Sequence, residues 1–134
     1  MARILVIDDD QLFVTLMVQA LKQRGHEVEF AFDGVTGART FARATFDAVI
    51  CDIVMPEQEG VETIKQMRAS CPDIAIVAIS GGLRFGHASV DVLDIAEKLG
   101  ADITLKKPFQ LSELSSAVDT ALAAHRSTAA QVRR

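Results

Sequence analysis

An α/β architecture, with five parallel strands each followed by a helix, is predicted by two features of this 134-residue chain. Apolar runs alternate with segments of helical periodicity from one end to the other. Three of the runs, "RILVI", "DAVICD" and "IAIVAIS", are almost wholly apolar, as strands covered on both faces are. The elements follow in order. "RILVI" is the first strand, and Leu12, Phe13, Leu16, Met17, Ala20 and Leu21 then recur at helical spacing before Gly25 at a helix C-cap position. "EVEFAF" alternates as a strand with one polar face does. Asp33-Gly34 starts a helix carrying Val35, Ala38, Phe41 and Ala42. "DAVICD" is the third strand, Pro56 and Gly60 punctuate the loop after it, and "VETIKQMRAS" is helical up to Pro72. "IAIVAIS" is the fourth strand. A loop from Gly81-Gly82 leads to a helix "VDVLDIAEKLG", the strand "DITLK" and a last helix "LSELSSAVDTALAAH". Residues 1–125 then form one domain, and "RSTAAQVRR", residues 126–134, reads as a flexible, polar tail.

Right-handed crossovers leave two common doubly wound orders, and five βα units in so short a chain favour the flavodoxin-like order 2-1-3-4-5. Strands 1 and 3 are then neighbours, and the crevice at their C-terminal ends is the expected ligand site.

Composition narrows the class further. The chain is 49% apolar and 24% charged with a net charge of −4, which fits a folded domain and disfavours nucleic acid as a partner. No apolar run is long enough to span a membrane, and no signal peptide precedes Ile4. Cys51 and Cys71 lack metal-ligand spacing, so a cytoplasmic location with reduced thiols is expected.

The strand ends carry the chemistry. The first strand runs into Asp8-Asp9-Asp10, the third ends in Asp52, the fourth in Ser80, and the fifth leads to Lys107-Pro108. Three clustered carboxylates that stay ionised require a cation, and Mg²⁺ takes oxygen ligands of this kind. A carboxylate can also act as a nucleophile toward phosphorus, while an ammonium and a hydroxyl neutralise and hold the other phosphoryl oxygens. Asp10 stands at the start of a helix and reads as a capping carboxylate rather than a third ligand. Cys51 neighbours Asp52, but strand alternation turns its side chain the other way, into the core. His26, His87 and His125 are scattered and read as surface residues. Phe30, Phe32, Phe41 and Phe46 read as core or half-buried, and "DGVTG" as a helix start rather than a dinucleotide fingerprint.

The motifs "ILVIDDD", "DAVICDIVMPEQEG", "IVAISGG" and "KKPF", in this order and at these strand ends, resemble the receiver domains of two-component response regulators over roughly residues 3–125. The resemblance implies that Asp52 is the phosphoacceptor and that Asp8 and Asp9 are the acidic pair for Mg²⁺, Asp9 the more direct ligand. It implies the backbone carbonyl of Val54 as a third protein ligand, Ser80 as the phosphoryl-binding hydroxyl and Lys107 as the functional lysine, with a cis bond before Pro108. It also implies a sensor histidine kinase or phosphotransfer protein as phosphodonor and self-catalysed dephosphorylation. No attached output domain is expected, so signalling would run through phosphate relay or through contacts with a downstream protein that the sequence does not name. Two departures stand out. Thr104 occupies a position where the family usually has Tyr or Phe, and the loop "SGGLRFGHAS" is longer than usual, as in a subset of stand-alone receivers. With no ring at Thr104, the switch is expected to use Ser80 and the loop 81–88, in which Phe85 is the only ring. Two alternatives compete. A haloacid-dehalogenase-type phosphatase would use Asp8 as nucleophile and Asp10 as acid, but its further motif and cap are missing. A degenerate receiver used only for binding conflicts with the complete Asp8, Asp9, Asp52 and Lys107 set.

Overall fold

The computed structural model describes residues 1–53, 59–80, 97–98 and 100–132. Its strands are β1 (Arg3–Ile7), β2 (Glu27–Ala31), β3 (Ala48–Asp52), β4 (Ala75–Ser80) and β5 (Ile103–Lys106). Its helices are α1 (Gln11–Gln23), α2 (Gly34–Arg43), α3 (Glu59–Ser70) and α4 (Leu111–Val132). All strand pairs are parallel, in the order β2-β1-β3-β4-β5, as expected for a flavodoxin-like sheet. The helix expected over "VDVLDIAEKLG" lies mostly outside the described residues, of which only Glu97 and Lys98 are helical there.

Alternation along β1 divides the core in two. Ile4 and Val6 pack with Val14, Met17 and Leu21 of α1 and with Leu114 and Val118 of α4. Leu5 and Ile7 face the other layer, with Val49 and Cys51 of β3 and Ile64 and Met67 of α3. Every residue of β3 and β4 is buried, which is why their sequences show no polar alternation.

The helix ends follow from local chemistry. Asp10 caps α1, its carboxylate accepting from the Phe13 N–H at 3.1 Å. Gly25, at φ +91°, closes the helix: its N–H donates to the Lys22 carbonyl, and the His26 N–H to that of Leu21. Asp33 caps α2 in the same way through Thr36, and these bonds, the backbone one above all, hold its carboxyl below the usual range.

Several expectations need correction. Leu12 is 72% and Leu16 42% exposed, because the stripe of α1 that meets the sheet is Val14, Met17 and Leu21. The strand β2 ends at Ala31, and Phe30 is half exposed because β2 has only one strand neighbour. The last helix runs to Val132 rather than ending at His125; "RSTAAQ" contains no glycine or proline to stop it. His26 and His125 are half-buried and bonded rather than free on the surface. His26 Nδ1 accepts from the Ala2 N–H at 3.1 Å, and His125 Nε2 lies 2.9 Å from Asp102. That carboxylate also accepts from the Arg68 guanidinium and the Ile76 N–H, tying α3, β4 and α4 together at the end of the sheet where β4 begins. Among the described residues no helix is long and apolar enough to cross a membrane.

Candidate phosphoryl and metal site

The sheet delivers its polar groups to one edge because β1, β3, β4 and β5 run the same way and end together. Main-chain bonds extend the ladder past the strands, with the Asp8 N–H donating to Ala31, Ile53 to Ile79 and Lys107 to Ser80. The side chains of Asp8, Asp9 and Asp52 each bring a carboxylate oxygen within 4.8 Å of the others. Asp8 and Asp52 are buried, at 0% and 3% exposure, and Asp9 is half-buried. Lys107 Nζ lies 2.9 Å from Asp8 Oδ2 and 3.3 Å from Asp52 Oδ2. The other Asp8 oxygen accepts from the Asp10 N–H at 2.9 Å.

The charges do not balance. At an effective dielectric near 20, two carboxylates this close repel by on the order of 3 kcal/mol, and one ammonium faces three of them. Burial alone would lower the Lys107 pKa. The hydrogen bond to Asp8 and the charges of Asp52 and Asp8 outweigh it, so the pKa ends above its ordinary value and the side chain stays charged. A deficit of two positive charges among hard oxygen donors fits a divalent cation, so the cluster can hold a metal ion.

Ser80 adds a group suited to an oxyanion. It is fully buried at the end of β4, and among the described residues its Oγ has no hydrogen-bond partner. An unsatisfied buried hydroxyl costs about 1–3 kcal/mol, which an incoming oxyanion would recover. Beneath the site, Cys51 is wholly buried, and desolvation, reinforced by Asp52 and Asp8, pushes its thiol pKa far up, so it reads as inert core.

The structure therefore brings together Asp8, Asp9, Asp52, Ser80 and Lys107, with a cis Lys107–Pro108 bond. Asp10 caps α1 as expected. Val54 and Phe85 lie outside the described residues, and with them the expected switch loop. Thr104 sits in β5 opposite Ala78, half-buried, and supplies no ring. Two supporting residues were not singled out for the site in the sequence. Phe13 lies against Lys107, and Gly60 lies against the backbone of Asp52 and Ile53. A glycine inside the first turn of a helix, where it is disfavoured, was the available signal for Gly60.

Fold and site together define an α/β domain with a cation-ready carboxylate cluster at the reversal point of its strand order. The family model for the response regulator receiver domain matches residues 4–119, and the chain belongs to that family. Among curated relatives, it is 37% identical over 121 residues to the DNA-binding transcriptional regulator NtrC of Azospirillum brasilense, covering 90% of this chain and 24% of that protein. It is 36% identical over 112 residues to the response regulator MprA of a Mycobacterium species, covering 84% of this chain and 46% of that one. The chain thus spans between a quarter and a half of these relatives' length. Among solved structures, a receiver domain from Clostridium thermocellum superposes with a TM-score of 0.84 at 30% identity, covering 94% of this chain and 98% of that one. A CheY-like receiver from Methanospirillum hungatei gives 0.85 at 25%, covering 94% and 97%.

Proposed function

We propose that this receiver is a Mg²⁺-dependent phosphorylation switch that takes a phosphoryl group onto Asp52. The donor is the phosphohistidine of a sensor histidine kinase or phosphotransfer protein. The observation that carries this reading is the Lys107 ammonium, held by buried Asp8 on one side and against Asp52 on the other. An Asp52 oxygen attacks phosphorus, the phosphorus–nitrogen bond of the donor breaks, and the imidazole departs with the bonding pair. Lys107 would neutralise one phosphoryl oxygen, and the Ser80 hydroxyl would donate to another, a reading that its lack of a partner among the described residues supports. Asp8, Asp9 and Asp52 would hold Mg²⁺, with the Val54 carbonyl as a further ligand; when bound, the ion would supply positive charge against the carboxylates and the phosphoryl oxygens. Hydrolysis reverses the state: water attacks phosphorus, inorganic phosphate leaves and the carboxylate returns. The chain would act on its own aspartyl phosphate and on no metabolite, and pass its signal by protein contacts. Two free thiols fit a cytoplasmic setting.

The test is the intact mass after incubation with acetyl phosphate, with and without Mg²⁺. A phosphoryl gain only with Mg²⁺, mapped to Asp52, is expected. A label on Asp8 would favour the haloacid-dehalogenase-type reading, against which stands the Asp10 carboxylate, engaged as the α1 cap instead of poised as an acid.

The charge deficit gives a stability test of the metal assignment. Saturating Mg²⁺ should raise the melting temperature, since a ligand at a hundred times its Kd stabilises the folded state by about 2.7 kcal/mol. Asp9→Ala should raise the metal-free melting temperature and remove the Mg²⁺ response. An unchanged response in that variant would show that Asp9 is not a ligand.

A further inference from the structure

We propose that Phe13 is a positioning residue for Lys107, holding the ammonium at the place where it meets both Asp52 and the incoming phosphoryl group. The Lys107 Nζ stands over the Phe13 ring, 4.9 Å from its centroid. That ring is in turn held edge-on by Phe109, with centroids 5.4 Å apart and planes at 65°. Phe13 of α1 is therefore gripped between two residues of the loop that follows β5. Its own backbone N–H is bound by the Asp10 cap, which fixes the first turn of the helix under the site.

The chemistry explains why an aromatic ring suits this place. A lysine head on a four-carbon stem carries much rotamer entropy, and any group that fixes it before reaction removes part of that cost from the barrier. A fourth carboxylate would fix it too, but would deepen the negative charge. The face of a ring attracts the cation through its quadrupole, adds no net charge and accepts no classical hydrogen bond. The N–H groups of Lys107 stay available to Asp8, Asp52 and a phosphoryl oxygen. Phe13 is half-buried beside a Lys107 side chain only 20% exposed, so the contact is partly desolvated and correspondingly stronger than on an open surface.

This inference rests on the proposed phosphorylation of Asp52, and its test separates the two. The variants are Phe13→Leu, which keeps an apolar side chain but removes the π face, and Phe13→Tyr, which keeps the ring. The first readout needs neither metal nor phosphodonor: the NMR signals of the Lys107 ε-methylene, which a ring face shifts upfield. The second is the rate of Mg²⁺-dependent phosphoryl uptake from acetyl phosphate, with Mg²⁺ affinity titrated in parallel. Phe13→Leu should lose the upfield shift and slow uptake by about three- to thirtyfold, leaving Mg²⁺ affinity within about twofold. Phe13→Tyr should restore both shift and rate. In a Lys107→Met background, Phe13→Leu should slow uptake no further, because the ring then has no cation to place. Normal shift and rate in Phe13→Leu, or a full extra loss in the Lys107→Met background, would overturn the proposal. If the wild-type protein takes no phosphoryl group on Asp52, the functional reading fails, and the Lys107 signals alone then decide whether Phe13 positions the ammonium.

Discussion

Asp52→Asn is expected to abolish the Mg²⁺-dependent phosphoryl gain and leave the protein folded. The amide nitrogen and oxygen occupy nearly the same space as the carboxylate but offer no anionic nucleophile, so the loss should be complete within detection rather than partial. Folding should survive for an electrostatic reason. In the metal-free protein Asp52 is one of three mutually repelling carboxylates, and Lys107 keeps its shorter bond to Asp8, 2.9 Å against 3.3 Å. The lost Lys107 contact and the relieved repulsion oppose one another, and the net charge of the cluster says the second is larger. A melting temperature at or slightly above that of the wild type is the outcome to look for by circular dichroism. A marked fall would mean that Asp52 is mainly a structural partner of Lys107.

Gly60→Ala should be the most destabilising single methyl in the described structure. A Cβ there would overlap the Asp52 carbonyl oxygen and lie 2.5 Å from Ile53 Cα, both main chain rather than the yielding tip of a side chain. Relief requires α3 to back away from the end of β3, where Asp52 sits. Overpacking of this severity costs about 3 kcal/mol, on the order of 10 °C in melting temperature for a domain of this size. Phosphoryl uptake should fall as well, because any shift of the Asp52 main chain moves its carboxylate relative to Lys107. Thermal melts and the uptake rate, measured on the same preparation, check both halves. A melting temperature within a degree of wild type would show that the close approach is not a real constraint.

The strands and their order were legible in the sequence because a strand covered on both faces leaves an unmistakable trace: "AVICD" and "AIVAIS" have no polar side to hide. The acid pair, Asp52 and Ser80 were legible for a related reason, since each stands where an apolar run stops, whereas Lys107 came from the resemblance that "KKPF" carries. Helix faces were harder. Leu12, Leu16 and Val14 satisfy helical spacing in overlapping sets, and only the sheet decides which set is buried. Phe30 read as core or half-buried and is half exposed, because how much of an edge strand the helices cover is decided only in the packed molecule. Phe13 could be read as one more apolar position of α1, because nothing local to α1 reveals that a lysine from the far end of the chain will lie over its ring. Gly60 hid similarly, since close approach between a helix and a strand end is a property of the packed molecule. Partners distant in sequence are what a single sequence conceals.

The buried hydroxyl of Ser80, without a partner among the described residues, carries a lesson for anyone who would engineer this protein. Evolution under a demand for heat tolerance alone would work against it. Ser80→Ala relieves an unsatisfied group, just as a neutral residue at Asp9 relieves repulsion, and each change should score as an improvement in a screen that reads only residual folded protein. On the proposed function, the fittest survivors of such a screen would be mute: better folded, and unable to hold the phosphoryl group. A library of this domain should therefore be sorted on phosphoryl uptake first and on heat afterwards.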